Sequence, residues 1–494
     1  MGIVRTQSII GSIVIYAGAI LGFITSALLF PTFLTPEQIG LLSLLVTYGV
    51  LFAQLASAGF LHTITRMFPY FRDKQNGHNG FLRLSLLVVT IGSVCMIGVY
   101  FLIEPLLVAN STQQNTLFTE YAILIIPLFL SVLYFNVFDT YTKSLFNATR
   151  GIIQKEFVLR IYIIITFILF YFQLIQFSSF VYLYIVAYAC IMIYMAVRLI
   201  GEGDFNLAAK KKPYSASMKQ ELRNVSIYGF LITAAGFIIL NIDRIMIEKL
   251  VSTNPLAQVG IYTTCTYFAT MIILPSRSLI KISSTIIAEA WKQGDMQKLQ
   301  EVYEKSTINQ SIIGVLVFIG ILINIDTIFA ILPDVYSQGL WVIVFISIFY
   351  LSEMCAGVAA SIISNSPHYK ILSHITFAFI ALIIILNYIY IPKYGISGAA
   401  ASSCVAKILY NVAIYVFIKR KFKLQPYSYN HIKIFIIAAV SFFAAYFIPD
   451  FSHYIVNFLI KSTVIVGVFS TLILYFRIST DISEMLTHFF KSKK

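Results

Sequence analysis

The sequence predicts an all-α polytopic membrane protein of about fourteen spans, arranged as two six-helix lobes plus two C-terminal helices. Three observations predict it. Hydrophobic residues make up 59% of the 494 and charged residues 11%, with a mean hydropathy of +0.85, far outside the range of soluble domains. The apolar residues fall in repeated runs of roughly 20, as an α-helical bundle in a hydrocarbon core about 30 Å thick requires. The basic residues divide by membrane side. With the N-terminus placed inside, about 30 of the 35 Lys and Arg lie inside, Lys249, Lys393 and Lys461 outside, and Arg244 and Lys407 within spans.

The first six runs fall at 9–33, 40–61, 83–103, 120–140, 157–175 and 180–198, giving an N-lobe over 1–200. The first run has neither the short apolar region nor the cleavage site of a removable signal peptide, so it stays as a helix. MGIVRT formally fits myristoylation at Gly2, but one acyl chain adds nothing to a chain with many spans. Arg66, Arg72, Lys74 and Arg83 mark one inner loop, and Lys143, Arg150, Lys155 and Arg160 the next. A basic cytoplasmic linker, 201–224, carries Lys210, Lys211 and Lys212. The C-lobe, 225–418, has runs at 225–247, 258–276, 308–330, 339–361, 371–391 and 396–418. Its 277–306 inner loop carries Arg277, Lys281, Lys292, Lys298 and Lys305. Runs at 432–448 and 455–476 and a cytoplasmic tail complete 419–494, and an even number of spans leaves both termini in the cytoplasm.

The second lobe opens as the first does. Ile227-Tyr228 echoes Ile15-Tyr16, and Gln258-Val259-Gly260 echoes Gln38-Ile39-Gly40, at offsets of 212 and 220 residues.

Several function classes are disfavoured. The outer loops are short, and the longest, about 104–119, holds no Lys or Arg, whereas a membrane polymerase or sugar transferase needs a sizeable external segment with acid–base or cation-binding residues. There is no metal-spaced His cluster, phosphate loop or nucleotide-binding motif, so neither a metal nor a cofactor is expected and the protein reads as a transporter rather than an enzyme. The net charge of +14 follows the membrane sides and does not indicate nucleic acid. Cys95, Cys190, Cys265, Cys355 and Cys404 stand singly in apolar runs, as packing residues do.

Charged groups inside spans are the site candidates, because each costs about 2.5–3.5 kcal/mol at a helix centre on insertion scales. Lys407 lies mid-span with Ser403 and Asn411 four residues to either side, on one helical face. Glu353, near the middle of the tenth run, is its expected partner, either in a structural salt bridge or as a protonatable or cation-binding group beside an anion-contacting lysine. On the seventh run, Asn241, Arg244 and Glu248 form one polar stripe with Asp243 about 100° away, near the outer end, as an interfacial cluster or an outer gate. Arg66, Arg83, Arg150, Arg277 and Lys281 lie at cytoplasmic helix ends, placed for anionic head groups, although topology alone explains most of them. Asp139, His62, His374 and Asp326 sit at span ends, where solvation is easy.

The opening IVIYAGAILGFITSALLFPTFLTPEQIGLLSLL, the mid-chain NIDRIMI followed by QVGIY, and IPKYGISGAAASS, taken with the six-six-two layout, resemble the Wzx-type O-antigen and polysaccharide flippases. These belong to the multidrug/oligosaccharidyl-lipid/polysaccharide (MOP) exporter superfamily. The resemblance covers nearly the whole length. It implies two six-helix lobes about a cavity that opens alternately to each side, moving an undecaprenyl-pyrophosphate-linked oligosaccharide from inner to outer leaflet of a bacterial cell membrane. It implies surface polysaccharide biosynthesis alongside other polysaccharide-assembly membrane proteins, driven by Na+, H+ or the membrane potential. Arg66, Arg277, Lys281, Lys407, Ser403 and Asn411 are the expected substrate contacts. Two patterns of the superfamily are absent: the first spans have no basic residue deeper than Arg5, unlike lipid II flippases, and the N-lobe offers only Asp139 as the carboxylate of a multidrug antiporter. The N-lobe cavity is therefore expected to be uncharged.

Overall fold

The structure is a computed structural model that describes residues 2–108, 116–207, 215–449, 451 and 453–479. Lys210, Lys211 and Lys212, positions 109–115 of the longest outer loop, and the tail from 480 lie outside the described residues. The described residues are helical with no strand, and the chain divides into two compact units, Met1–Gly260 and Ile261–Lys494.

In the first unit, α1 (Gly2–Phe23) passes through a π-helical segment, Ile24–Leu29, into Phe30–Phe33. Thr35 then starts α2 (Pro36–Ala56): its hydroxyl accepts from the Gln38 amide while the Gln38 side chain accepts from the Thr35 amide, and Pro36 fills the first helical position, where no N–H is needed. After a break come α3 (Phe60–Phe71), α4 (Phe81–Val108) and α5 (Ile125–Ser144). One continuous rod follows, from Ala148–Ile153 through a π-helical segment at Gln154–Val158 into α6 (Leu159–Tyr171). The unit continues with α7 (Phe177–Gly201) and α8 (Ala216–Leu250), and α9 (Pro255–Thr270) begins in it.

The second unit holds α10 (Ser276–Gln293), α11 (Met296–Ile323), α12 (Leu340–Ala356), α13 (Tyr369–Phe422), α14 (Tyr429–Tyr446) and α15 (Tyr454–Tyr475). The IPKYGISG motif breaks α13 into two helices at Gly395, which takes φ 57°, and Gly398 lets the returning helix lie against the Tyr390 carbonyl. The last two helices share a core with α11, where Ile312, Val315 and Ile319 recur at helical spacing and meet Ile434, Ile437, Ile465 and Phe469.

Eleven helices among the described residues are long and apolar enough to cross a membrane, α13 with its two halves taken as one. The expected runs 157–175 and 258–276 fall on α6, 13 residues, and α9, 16 residues, each too short alone to meet that test. The predicted inner loops around Arg66 and over 277–306 are in fact helices α3 and α10 and the start of α11, where the Asp295 carboxylate accepts from the Lys298 amide. Within the first unit α8 packs on α2 and α3: Ser226 Oγ donates to the Ala58 carbonyl, which the break has freed from its helix. Gly59, at φ +74°, allows this approach, since a Cβ there would fall on the Ser226 carbonyl and the Phe230 amide. Gly59→Ala is expected to cost about 2–4 kcal/mol from left-handed strain plus overpacking. A thermal midpoint in detergent equal to wild type would show that α8 does not depend on this contact.

Candidate transport site

Both units contain a helix that breaks and resumes as an amphipathic segment with basic residues on its open face. In the first, α2 gives way at 57–59 to α3, whose Phe60, Ile64, Met67, Phe68 and Phe71 are buried while His62, Thr65, Arg66 and Tyr70 are exposed. His62 and Arg66, four residues apart, share a face. In the second, a turn at 271–275 leads into α10, whose Ile287 and Ala290 are buried while Arg277, Lys281, Thr285 and Lys292 are exposed. Arg277 and Lys281 are again four residues apart. Irregular backbone at membrane depth is tolerated only where protein or a water-filled cavity surrounds it, and transporters build substrate sites from such interrupted helices. The helical spacing of Phe60, Ile64, Met67 and Phe71 was the readable signal for the first of these segments.

The structure brings Lys407 and Glu353 together. Lys407 Nζ lies 2.5 Å from Glu353 Oε2 where α12 crosses the second half of α13. One turn along, Asn411 Nδ2 donates to Ser352 Oγ at 3.1 Å. Three rings close round the ammonium, Tyr410 at 4.6 Å, Phe349 at 5.5 Å and Phe379 at 5.7 Å from their centroids. Ser403 is buried on the same helix. The lysine side chain keeps 9% of its exposure and the glutamate 30%, so the carboxylate is the partner that reaches the surface of the unit. The cation is held by one anion and an aromatic wall, an arrangement that fixes it in place and leaves it little reach towards a second anion.

The seventh-run cluster lies on α8. Arg244 Nη1 donates to Asn241 Oδ1 at 2.9 Å, Asp243 is half-buried, and the buried Glu248 accepts from Tyr48 of α2 at 3.3 Å and from Lys249 at 3.2 Å. Just beyond, Asn254 Nδ2 donates to Glu37 Oε1 at 3.1 Å, so the ends of α2 and α8 are tied by polar contacts. Asp139 is paired with Lys143 one turn along α5. Arg150 forks onto both oxygens of Glu202 at 2.8 and 2.7 Å; that hydrogen bonding holds the Glu202 carboxyl below its usual range and raises the guanidinium's own affinity for its proton. His374 is exposed, its Nδ1 2.8 Å from the Lys370 carbonyl, and Asp326 lies exposed in a short helix after α11.

One charged pair departs from the expected inner-loop placement. Arg160 lies inside the Ala148–Tyr171 rod, its Nη2 donating to Glu156 Oε2 at 3.1 Å. Residues 148–156 read as polar loop in the sequence but are helical, and Glu156 and Arg160 lie close against Gly18 and Gly22 of α1. The first unit therefore carries internal charge. No group of three or more His, Cys, Asp or Glu able to hold a metal ion occurs among the described residues.

No protein-family model matches the chain, and no curated protein matches it in sequence. Solved structures do match it in shape. It is similar to the lipid II flippase MurJ in an inward closed conformation, with a TM-score of 0.76 at 12% identity over 95% of this chain and 99% of that one. It is also similar to an inward-facing multidrug resistance MATE family transporter of the MOP superfamily, with a TM-score of 0.64 at 14% identity over 83% and 94%. A MATE in complex with Br-NRF gives 0.52 at 13% identity over 85% and 95%. At these identities the likeness speaks for the fold, and the chain is a multi-pass membrane protein with the fold of the MOP superfamily transporters.

Proposed function

We propose that the protein is a flippase that moves a polyprenyl-pyrophosphate-linked oligosaccharide from the inner to the outer leaflet of a bacterial cell membrane by alternating access, in surface polysaccharide assembly. The observation that carries this reading is the pair of amphipathic segments after helix breaks, each with exposed basic side chains: Arg66, one turn after His62, on α3, and Arg277 and Lys281 at i and i+4 on α10. Cations that keep their donors open suit a headgroup rich in phosphate oxygens and offset its loss of water. A neighbour in fold is itself described as a lipid II flippase. Movement of net charge across the membrane is worth about 2.3 kcal/mol per charge per 100 mV, so the potential, or coupled Na+ or H+, can bias the cycle without ATP. The drug-antiporter alternative is less favoured, because the carboxylates it would use, Glu353 and Asp139, are each engaged by a lysine of the same chain.

Deletion followed by lipid analysis tests the proposal: undecaprenyl-linked sugar units should accumulate and surface polysaccharide should be lost. Unchanged glycan with altered sensitivity to cationic dyes would sink it. In proteoliposomes, Arg66→Gln and Arg277→Gln should each slow translocation about tenfold, the loss of one charge-assisted contact of about 1.5 kcal/mol. Translocation at the wild-type rate in both variants would remove these residues from the substrate path.

A further inference from the structure

We infer that Arg160, at the middle of the Ala148–Tyr171 rod, is an anion contact in the first unit, and that Glu156 is the internal counter-ion from which a phosphate group displaces it. The inference rests on the reading that the substrate carries a lipid-linked phosphate.

Position along the helix is the first argument. The rod runs from Ala148 to Tyr171, so Arg160 lies about 18 Å from one end and about 16 Å from the other at 1.5 Å per residue, beyond the reach of capping at either end.

Geometry is the second. Gly18 and Gly22 stand one turn apart on α1 and make a slot for the charged turn of the rod. A Cβ at Gly22 would fall on Arg160 Nη1, and one at Gly18 would fall on the backbone carbonyl of Glu156. Gly22 therefore seats the guanidinium and Gly18 the backbone of the residue that pairs with it, and any larger residue at 22 would push the guanidinium aside. Each helix also carries a π-helical segment beside the slot, Gln154–Val158 on the rod and Ile24–Leu29 just beyond Gly22, a feature that concentrates at functional sites.

Incomplete bonding is the third. A guanidinium has five N–H donors, and the carboxylate oxygen takes one of them; Nε is buried with no hydrogen-bond partner among the described residues. A pair kept purely for packing is expected to be sealed and satisfied. This one keeps 31% of the Arg160 side chain and 25% of the Glu156 side chain exposed, so a ligand can reach both. An arginine fork with spare donors fits phosphate oxygens, and one carboxylate on the same helix holds it while no phosphate is present.

The exchange has a signature that a structural salt bridge lacks. With the full-length protein in nanodiscs and farnesyl diphosphate as probe, Arg160→Gln should weaken binding about tenfold or more. Glu156→Gln, which removes the competitor but leaves the arginine, should tighten it several-fold. Gly22→Ala should weaken it. Phosphatidylglycerol serves as a second probe, and an equal response to it would assign the site to any anionic lipid head group and overturn its role in the diphosphate path. Binding that falls in both Arg160→Gln and Glu156→Gln would show a packing pair and overturn the inference. If Arg160→Gln does not fold, the Glu156→Gln result decides alone, because only exchange predicts a gain. Wild-type protein that ignores farnesyl diphosphate would overturn the proposed function itself; wild-type binding untouched by Arg160→Gln overturns this inference only.

Discussion

Glu353→Ala is expected to lower stability by about 3 kcal/mol, because it leaves the ammonium of Lys407 buried without its anion. Tyr410, Phe349 and Phe379 offset part of that loss, but cation–π contacts contribute about 0.5–2 kcal/mol and cannot replace a carboxylate at 2.5 Å. Lys407→Met should be milder, since Glu353 keeps 30% of its exposure and can regain water. The double variant Glu353→Gln with Lys407→Met should recover most of the loss, as replacement of buried ion pairs by neutral groups of similar volume commonly does. Thermal midpoints in detergent read all three. If the double variant loses as much as Glu353→Gln and Lys407→Met measured singly and added together, the two side chains do not act as a pair. Transport in the double variant then separates the two roles of the site: stability recovered with transport intact assigns the pair to packing, and stability recovered with transport lost assigns it to the transport cycle.

The fold class was legible because hydropathy and the distribution of basic residues are properties of composition along the chain, and they need no contact information. Lys407 and Glu353 could be paired in the sequence because two opposite charges near the middle of spans have few other ways to be tolerated. What the sequence hid were contacts between distant segments. Arg160 and Glu156 belong to a turn whose mixed polarity resembles a loop, and in the structure it is helical and packs against Gly18 and Gly22. Helices α3 and α10 were hidden by their own cations: Arg66 and Lys281 signal a cytoplasmic loop by charge, while the apolar residues between them keep helical spacing. The stripe on α8 was visible, but its anchoring of Glu248 to Tyr48 was not, since nothing local in either segment names the other.

Gly260→Val is expected to have the largest effect on conformation, because it sits at a reciprocal contact that the internal repeat creates within the first unit. Thr35-Pro36 and Asn254-Pro255 open α2 and α9 alike, and the repeat-related glycines four residues or so later face each other. A Cβ on Gly40 would fall on the Leu256 carbonyl, and a Cβ on Gly260 would fall on the Pro36 carbonyl, each the residue four before the opposing glycine. What stands in the way is backbone on both sides, so a side chain cannot be accommodated by a change of rotamer and the helices must part. Overpacking of this kind costs about 1–3 kcal/mol, which at 1.4 kcal/mol per decade reduces the close-packed population roughly 5- to 140-fold. The hydrogen bonds from Asn254 to Glu37 and from Tyr48 to Glu248 hold the same seam and are expected to be lost with it. Leu256, 1% exposed, is the reporter. As Leu256→Cys, with the exposed Cys95 and Cys190 replaced, it should react slowly with a maleimide in the otherwise wild-type protein and many times faster when Gly260→Val is added. A seam that opens and closes during transport also predicts that Gly260→Val slows translocation while the protein remains folded. Maleimide labelling at the parent rate in the Gly260→Val protein would show that the contact does not set the conformation of this end.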